Sequence, residues 1–483
     1  MIEDSLKKRY ILKLLANIVF GITNALLVAL VPKALGPIAY GQFNFLQQFY
    51  SQFISLVDVN SSTAFFTKLS ANNNRKELIT FYFFCALFMF IVVFIISFTI
   101  NSIGVKDFVF PDVDKNHIYL SMIFCLLTWL SQIYIKISDA YAVTVPVEII
   151  KIVHKIVMLI MIFIIINGYG LNLENYLFFN IISLVILLLV LQFLLTQKKI
   201  VDLKVFSQPI NFQGVFKEFY SFCSPLFFFN LIAIAIGIFD IWLLQKISGS
   251  VEVGFYGLAY SISAMCFLFT SAMTPIIMRE FSKSIEKKDF ENVRDLFRRY
   301  VPMLYAISAY FSVFVAFHAA DLLLIFTDQR YEGAYMALVI MAFYPLHQTY
   351  GQINAALFFS AEKVTLYRNI GLLFSFFGLI LSFLFVYLLN LGAEGMAWKM
   401  LIVQLVSVNV QLYYNAKYLK ESSLGYILHQ ILCVMILGSI AYLTCVSFFD
   451  SLVYDFLLSG FLYTAIVLLF ILRFPTLLIV ARR

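Results

Sequence analysis

Long, continuous runs of apolar residues dominate this chain, and short polar segments separate them. A helix that crosses a membrane needs about 20 mostly apolar residues. The runs do not alternate between apolar and polar positions, so they predict helices and not the strands of a membrane β-barrel. Fourteen spans are predicted, at residues 10–31, 42–66, 79–103, 117–136, 149–166, 177–196, 221–245, 254–277, 301–322, 335–360, 370–390, 396–415, 427–448 and 455–472.

The composition supports this interpretation. Hydrophobic residues make up 62% of the 483 residues and charged residues only 13%, whereas a soluble domain is about 25% charged. A water-soluble fold could not bury so much apolar surface, which excludes a set of soluble enzyme domains. No long polar stretch is present, which excludes a soluble domain on a single anchor. The first residues, MIEDSLKKRY, lack the apolar core of a cleavable signal peptide.

The basic residues predict an orientation. Segments on the side of the N-terminus, counted together with Lys136, Lys151 and Lys155 at the inner ends of their spans, carry 27 Lys and Arg, whereas those on the opposite side carry 5. Basic residues accumulate on the cytoplasmic side of membrane proteins, so both termini are predicted to be cytoplasmic. The net charge of +7 is then mainly a signal of topology. No nucleic-acid partner is predicted.

An internal repeat relates the two halves of the chain at an offset of 213 residues. Gly36 then pairs with Gly249 and Gly41 with Gly254, and these glycines are predicted to permit tight external turns. Both halves begin with a span that runs in the same direction. The repeat is therefore parallel, and its pseudo-twofold axis is expected along the membrane normal.

Together, the spans and the repeat predict an all-α polytopic membrane protein. Two six-helix lobes, 1–207 and 208–425, are expected to face a central cavity, and residues 426–483 add two further spans. A cavity between such lobes is where transporters with parallel repeats bind their substrates.

Polar side chains lie on one face of several predicted spans, and they are expected to face protein or water because contact with lipid is costly. Two carboxylates, Asp58 and Asp240, are predicted to act in ion coupling or gating. The predicted cavity residues are Lys13, Asn17, Asn24, Gln48, Gln52, Asn230, His347, Gln348 and Lys399. For the amides, hydrogen bonding between helices is the alternative interpretation, and Lys13 is close enough to the membrane surface to snorkel.

The chain offers no platform for catalysis. None of the motifs GxxxxGK[ST], GxGxxG before a helix, GxSxG or HExxH occurs. The six cysteines lie within predicted spans without a CxxC pair, so neither a metal nor a cofactor is predicted. The first external loop, PKALGPIAYG, has no acidic residue, and no large external loop follows. A membrane glycosyltransferase or polymerase is therefore the less favoured class, and the chain is predicted not to be an enzyme.

The residues of the first two spans resemble a known family. The segment KLLANIVFGITNALLVALVPKALGPIAYGQFNFLQQF resembles the start of O-antigen flippases of the Wzx/RfbX type, and its most specific part is LGP-x-x-YG-x-x-NF, from Leu35 to Phe45. FKEFYSFCSPLFF resembles the family's K-x-x-x-x-S-x-P-L pattern, from Lys217 to Leu226 with approximate spacing, and KKDFENVRDLF resembles its cytoplasmic connector. These flippases belong to the multidrug/oligosaccharidyl-lipid/polysaccharide (MOP) exporter superfamily.

The resemblance implies a flippase that moves an undecaprenyl-diphosphate-linked oligosaccharide, for O-antigen or a similar surface polysaccharide, across the bacterial cytoplasmic (inner) membrane. Alternating access, with or without ion coupling, is the implied mechanism. The implied partners are the lipid-linked oligosaccharide, membrane lipid and other polysaccharide-assembly proteins. Two alternatives stay open: a cation-coupled small-molecule exporter of the MATE type and a lipid II-type flippase. Few cations lie at mid-depth in the first span, which argues against the lipid II type.

Overall fold

The structure is a computed structural model of the chain, and it describes residues 6–72, 74–201, 211–224, 227–267, 270 and 273–473. Helices joined by short turns form this part of the chain, and it contains no strand. Eleven of the helices are long and apolar enough to cross a membrane. The prediction of an all-α polytopic membrane protein is therefore confirmed.

The first of two compact units covers Met1–Val251. Its helices are α1 (Leu6–Asp58), α2 (Ser61–Ala71), α3 (Glu77–Ser102), α4 (Lys106–Val109), α5 (Lys115–Ala140), α6 (Thr144–Gly168), α7 (Leu173–Gln197), α8 (Phe212–Cys223) and the first part of α9 (Phe227–Met265).

The second unit covers Glu252–Arg483 and begins with the remainder of α9. Its other elements are α10 (Thr274–Glu286), α11 (Phe290–Phe317), α12 (Ala319–Phe326), a 3₁₀-helix (Gln329–Ala334), α13 (Tyr335–Met341), α14 (Tyr344–Ser360), α15 (Val364–Ser382), a π-helix (Phe383–Leu388), α16 (Gly392–Leu419), α17 (Ser423–Thr444) and α18 (Leu452–Arg473). The predicted lobe boundaries at 207 and 425 stay a prediction.

Two long helical segments each overlap two predicted spans. Val19–Asp58 has 40 residues and Phe227–Met265 has 39, and a glycine interrupts each one. Gly36 has φ 76° and ψ 167°, and Gly249 has φ 83° and ψ 177°. Glycine adopts such angles at little steric cost. The chain thus turns at a single kinked residue where an external loop was expected, and Gly41 and Gly254 lie within the helical residues that follow.

The predicted count of fourteen spans is not confirmed. Besides the two kinked pairs, the predicted span 335–360 is divided into α13 and α14, each too short to count as a span alone. Pro345 lies in the first turn of α14. Proline lacks the N–H that would continue the hydrogen bonds of a helix and is tolerated in its first turn, which accounts for a new helix beginning there.

The backbone repeats beyond the residues that first suggested a repeat. Helices α2 and α3 begin at Ser61 and Glu77, and 213 residues later α10 and α11 begin at Thr274 and Phe290. Left-handed residues recur at a slightly larger offset of 220 or 221 residues. Ala142 and Glu362 both have φ 56°. Lys199 and Lys420 also share φ 56°. The two halves therefore break and turn at corresponding places.

Each unit has its own apolar core. In the first unit, Phe65 of α2 stacks on Tyr82 of α3, with ring centroids 4.4 Å apart, and Phe219 of α8 joins the same core. In the second unit, Tyr305 of α11 and Tyr350 of α14 are buried against each other. Large apolar side chains also cover the outside of α3, α6, α7 and α18, as helices in contact with lipid require.

Candidate functional site

The helix of the second predicted span breaks directly after Asp58. Val59 has φ 48° and Asn60 has φ 63°, and α2 resumes at Ser61. A β-branched residue such as Val59 rarely adopts a left-handed conformation, which costs about 1–3 kcal/mol. Strain of this kind persists only where the surroundings hold it in place.

The Asp58 carboxylate supplies that support. Its Oδ1 accepts hydrogen bonds from Ser61 Oγ at 2.7 Å, Ser62 N at 3.1 Å and Tyr82 OH at 2.8 Å. Its Oδ2 accepts one from Ser62 Oγ at 2.7 Å. The side chain is only 8% exposed. A carboxylate that accepts a backbone N–H in the first turn of a helix stabilises the beginning of that helix, so Asp58 fixes the start of α2 relative to α3.

Lys136 of α5 completes this cluster. Its Nζ donates to Ser62 Oγ at 2.8 Å, and the same hydroxyl donates to Asp58. A cation and an anion therefore lie on opposite sides of one hydroxyl. We call Asp58, Ser61, Ser62, Tyr82 and Lys136 the Asp58 network. It connects α2, α3 and α5 at the point where the second predicted span breaks.

The geometry of the network depends on an acceptor at position 58. Four donors point at the two oxygens of the Asp58 carboxylate, which accepts at both of them. A side chain that accepts fewer hydrogen bonds would leave at least one of these donors without its partner. A side chain without charge would also leave Lys136 without a negative charge beyond Ser62. The arrangement can therefore couple the side chain at position 58 to the conformation of a helix break.

A second polar group of the first unit lies on α6, and the sequence prediction missed it. Glu148 is 3% exposed, and its two carboxylate oxygens accept hydrogen bonds from Lys151 Nζ at 3.0 and 2.9 Å. Lys151 Nζ also lies 5.1 Å from the ring centroid of Phe20 on α1. His154 Nε2 is 2.8 Å from Ser183 Oγ of α7. With Lys155, these residues form a polar stripe along one side of α6.

The predicted residues of the first span are only partly described. Lys13 and Asn17 belong to α1, but their side chains lie outside the described residues. Asn24 is exposed, whereas its neighbour Thr23 is buried and donates to Val19 O at 2.9 Å. The structure therefore gives no pairing between Asn24 and the Asp58 network.

The predicted glutamines of the second span are half-buried. Gln48 and Gln52 both lie on α1 after its kink. Gln52 packs against α9, because a Cβ added at Gly237 would lie 3.1 Å from Gln52 Nε2. Small residues at such points let helices approach closely in membranes. This contact brings the second predicted span against the seventh, within the first unit.

Two further predicted residues lie on the first part of α9. Asn230 is half-buried, and Asp240 is 9% exposed. Nearby, Trp242 Nε1 donates to Phe108 O at 2.8 Å and Gln245 Nε2 donates to Pro111 O at 3.0 Å. These bonds fix the part of α9 just before the Gly249 kink against the segment that follows α3.

The remaining predicted residues lie in the second unit. His347 of α14 is 7% exposed, and its Nδ1 has no hydrogen-bond partner in the described part of the chain. Its neighbour Gln348 accepts a hydrogen bond from Gln404 Nε2 of α16 at 2.6 Å. Lys399 is buried, and its stem packs on Gly378, where a Cβ would lie 3.1 Å from Lys399 Cε.

Amide pairs between helices are common in this unit. Asn415 Nδ2 donates to Asn354 Oδ1 at 2.9 Å, and Gln430 Nε2 donates to Asn409 Oδ1 at 3.0 Å. For these amides and for Gln348, the contacts fit the alternative interpretation of hydrogen bonding between helices. Such bonds contribute about 0.6 kcal/mol each on average in membranes.

Membrane-length helices with buried polar networks define a multi-pass membrane protein. The sequence profile of the polysaccharide biosynthesis protein family matches residues 6–279, which is more than half of the chain. The chain therefore belongs to that family. A search of curated proteins gave no match.

Solved structures similar to this chain include a lipid II flippase and MATE family transporters. The lipid II flippase MurJ, in an inward closed conformation, has a TM-score of 0.69 at 14% sequence identity, over 96% of this chain and 99% of that chain. An inward-facing MATE family transporter of the MOP superfamily has a TM-score of 0.61 at 14% identity, over 85% of this chain and 98% of that chain. A mutant of the Vibrio cholerae MATE transporter VcmN has a TM-score of 0.57 at 15% identity, over 86% of this chain and 97% of that chain. The chain thus has the fold of MurJ and of the MATE transporters.

Proposed function

We propose that this protein is a flippase that translocates an undecaprenyl-diphosphate-linked oligosaccharide repeat unit across the bacterial cytoplasmic membrane. The observation that carries the proposal is the combination of a polysaccharide biosynthesis family with the fold of a lipid II flippase over nearly the full length of both chains. The product would serve O-antigen, and hence lipopolysaccharide, or a similar surface polysaccharide. No catalytic step is part of this proposal.

The charges of α6 suit such a substrate. Lys151 and Lys155 outnumber the single carboxylate of Glu148 on the polar stripe. Lysine is a compact point charge that suits the recognition of phosphate groups. We assign this stripe, together with Lys13 of α1, to the diphosphate of the substrate. The predicted amides Asn17, Asn24, Gln48, Gln52, Asn230 and Gln348 are assigned to the sugar hydroxyls, with His347 and Lys399.

The Asp58 network is assigned to gating. MATE transporters of the MOP superfamily have been solved in inward-facing and outward-facing conformations, and we propose alternating access between such states here. At the Val59–Asn60 break and at the Gly36 and Gly249 kinks the backbone departs from helical angles, so these are places where a helix can change direction. Protonation of Asp58 would loosen the break, and Asp240 is proposed as a second gating carboxylate.

The proposed orientation follows from the distribution of charge. With 27 basic residues on one side and 5 on the other, both termini are placed in the cytoplasm. The substrate would then enter from the leaflet in which lipid-linked intermediates are made. Membrane lipid and other polysaccharide-assembly proteins are the proposed partners.

A MATE-type exporter of small molecules is the second candidate, because the MATE transporters share the fold and a buried carboxylate such as Asp58 suits cation coupling. The repeat argues against a symmetric carboxylate pair, because Ser271 occupies the position that corresponds to Asp58. Ser271 itself lies outside the described residues.

Gene deletion tests the proposal. Cells without this gene are expected to lose surface polysaccharide and to accumulate the lipid-linked repeat unit inside, and the wild-type gene is expected to restore both. A deletion strain with polysaccharide of unchanged length and amount, and with no accumulated intermediate, would exclude the flippase. Loss of drug or cation efflux instead would favour the MATE-type exporter.

A further inference from the structure

Helix α8 has two distinct faces in addition to its buried side. Val215 and Phe219 are anchored in the core of the first unit. Next to them, a stripe of three aromatic residues at intervals of four positions is largely exposed: Phe212 is 49%, Phe216 64% and Tyr220 66% exposed. On a short helix beside membrane spans, such a stripe is typical of a helix that lies in the membrane interface.

The aromatic stripe continues the lipid-facing surface of α3. The Phe212 ring lies 5.9 Å from the ring of Phe84, which is itself 48% exposed. From Phe84 the exposed apolar surface of α3 extends through Leu87 and Phe88. Acyl chains that cover α3 would therefore reach the aromatic side of α8, and the headgroups of the same lipids would lie at the level of its polar side.

The polar side of α8 forms one wall of an open pocket of about 590 Å³. Lys68 of α2 also lines this pocket. The pocket is lined by Lys68, Gly214, Lys217, Glu218 and Ser221. It belongs to the side of the membrane that carries the excess of basic residues, where anionic phospholipids attract Lys and Arg.

The charges of the pocket leave a cation available. Glu218 is bound by Lys68 at 2.9 Å and by both terminal nitrogens of Arg75 at 3.1 Å. Hydrogen bonds from Arg75 and then from Lys68 hold the pKa of the Glu218 carboxyl below its ordinary value. The carboxylate therefore stays ionised, and its cationic partners balance its charge. Lys217 is exposed and forms no ion pair with another residue in the described part of the chain.

We propose that this pocket binds the phosphate headgroup of an anionic phospholipid of the surrounding leaflet. Lys217 Nζ and Ser221 Oγ would contact the phosphate, beside the ion pairs that Lys68 and Arg75 form with Glu218. The acyl chains would run past Phe216 and Tyr220 onto α3. The charge of the headgroup complements the unneutralised Lys217, and the apolar surface beside it fits the tails.

Direct lipid binding tests this proposal without any transport measurement. Native mass spectrometry of the full-length protein in a non-ionic detergent would count bound dioleoyl phosphatidylglycerol and dioleoyl phosphatidylcholine over the same concentration series. Phosphatidylglycerol is expected to bind more tightly. Lys217→Ala should weaken its binding about fivefold, because one lysine near an anionic lipid surface contributes about 1 kcal/mol. Lys217→Arg should retain most of the binding, because it keeps the charge.

Lys287→Ala is the matched control, because Lys287 is an exposed lysine at the end of α10 and its removal changes the net charge equally. Equal phosphatidylglycerol binding by Lys217→Ala and Lys287→Ala would overturn the proposal, provided both variants elute as the wild type in size exclusion. Equal binding of the two lipids by the wild type would overturn it as well. Displacement of phosphatidylglycerol from the wild type by an equal concentration of undecaprenyl diphosphate would assign the pocket to the substrate instead.

Discussion

Replacement of Asp58 by Asn is expected to slow transport about tenfold while the protein stays in the membrane. Asn has nearly the same size, but one carboxylate oxygen becomes an NH₂ group that cannot accept a hydrogen bond. Oδ1 accepts three bonds and Oδ2 accepts one from Ser62 Oγ. In either orientation of the amide, at least one accepted bond is lost.

The bonds set the size of the effect. A hydrogen bond to a charged group contributes about 1.5–3 kcal/mol, and each 1.4 kcal/mol is about a factor of ten in an equilibrium constant. One lost bond therefore shifts the preferred geometry of the break by a factor of about 10 to 150. If the contribution is that of an average bond inside a membrane, about 0.6 kcal/mol, the factor is about three. The apolar cores of the two units do not include Asp58, so the folded protein should persist.

Complementation of a deletion strain measures this effect. The initial rate at which surface polysaccharide reappears after induction is compared at equal amounts of membrane-bound protein. Asp114→Asn serves as the control, because Asp114 is exposed at the start of α5 and makes no side-chain capping bond. A wild-type rate for Asp58→Asn would refute the gating role. Loss of the protein from the membrane would show that Asp58 is needed for folding instead.

Three further predictions concern stability, each measured as thermal unfolding of the purified protein in detergent. Lys136→Gln is expected to lower Tm by less in the Asp58→Asn variant than in the wild type, because the negative charge beyond Ser62 is already gone. Additive losses of Tm would argue against coupling from Lys136 through Ser62 to Asp58. The pKa of Glu218 is held below its ordinary value of 4.5. The stabilisation of the folded protein by the ionised carboxylate is therefore complete above that pH and is lost as the pH falls below it. Glu218→Gln should therefore flatten the fall of Tm between about pH 5 and 3, and an unchanged slope would contradict this. Gly249→Ala should cost about 1–3 kcal/mol, because φ 83° and ψ 177° lie in a region that is essentially restricted to glycine. Gly168→Ala at a helical position should be neutral or slightly stabilising. Neither added Cβ would meet a non-neighbouring atom within 4 Å.

The membrane-spanning helices were accessible from the sequence because lipid imposes long apolar runs on them. The predicted span 79–103 and helix Glu77–Ser102 agree within two residues at either end. The turns were harder to predict from the sequence, because a glycine permits a tight loop and a helix kink equally well. Gly36 and Gly249 therefore marked the correct positions, but no residue pattern around them indicated helix directly on both sides.

The Asp58 network was only partly predictable. Asp58 was visible as a carboxylate within an apolar run, and its charge made it conspicuous. Lys136 counts among the basic residues of the inner side, because the apolar run ends there. In the structure α5 continues to Ala140, and Lys136 donates a hydrogen bond to Ser62. The hydroxyl of Tyr82 carried no signal in a span rich in aromatic residues.

The polar stripe of α6 was missed for a related reason. The predicted span began at residue 149, whereas α6 begins at Thr144. Glu148 therefore lay outside the predicted helix, and its pairing with Lys151 one turn later could not be recognised. Ion pairs at positions three apart on a helix satisfy each other, which lets both charges enter the membrane region. Charges near the ends of apolar runs thus need to be considered as part of the helix.

Translocation by the purified protein is the most direct test of the proposed function. Full-length protein would be reconstituted into liposomes that carry a fluorescent undecaprenyl-diphosphate-linked oligosaccharide, and a membrane-impermeant glycosidase added outside would report which leaflet holds the sugar. In protein-free liposomes only the half of the substrate in the outer leaflet can be cleaved. With the wild-type protein, the cleaved fraction is expected to rise above that half and to approach completion. Asp58→Asn is expected to reach the same cleaved fraction more slowly. Cleavage that stops at the protein-free level with wild-type protein, under an imposed proton or sodium gradient of either direction, would contradict the flippase function.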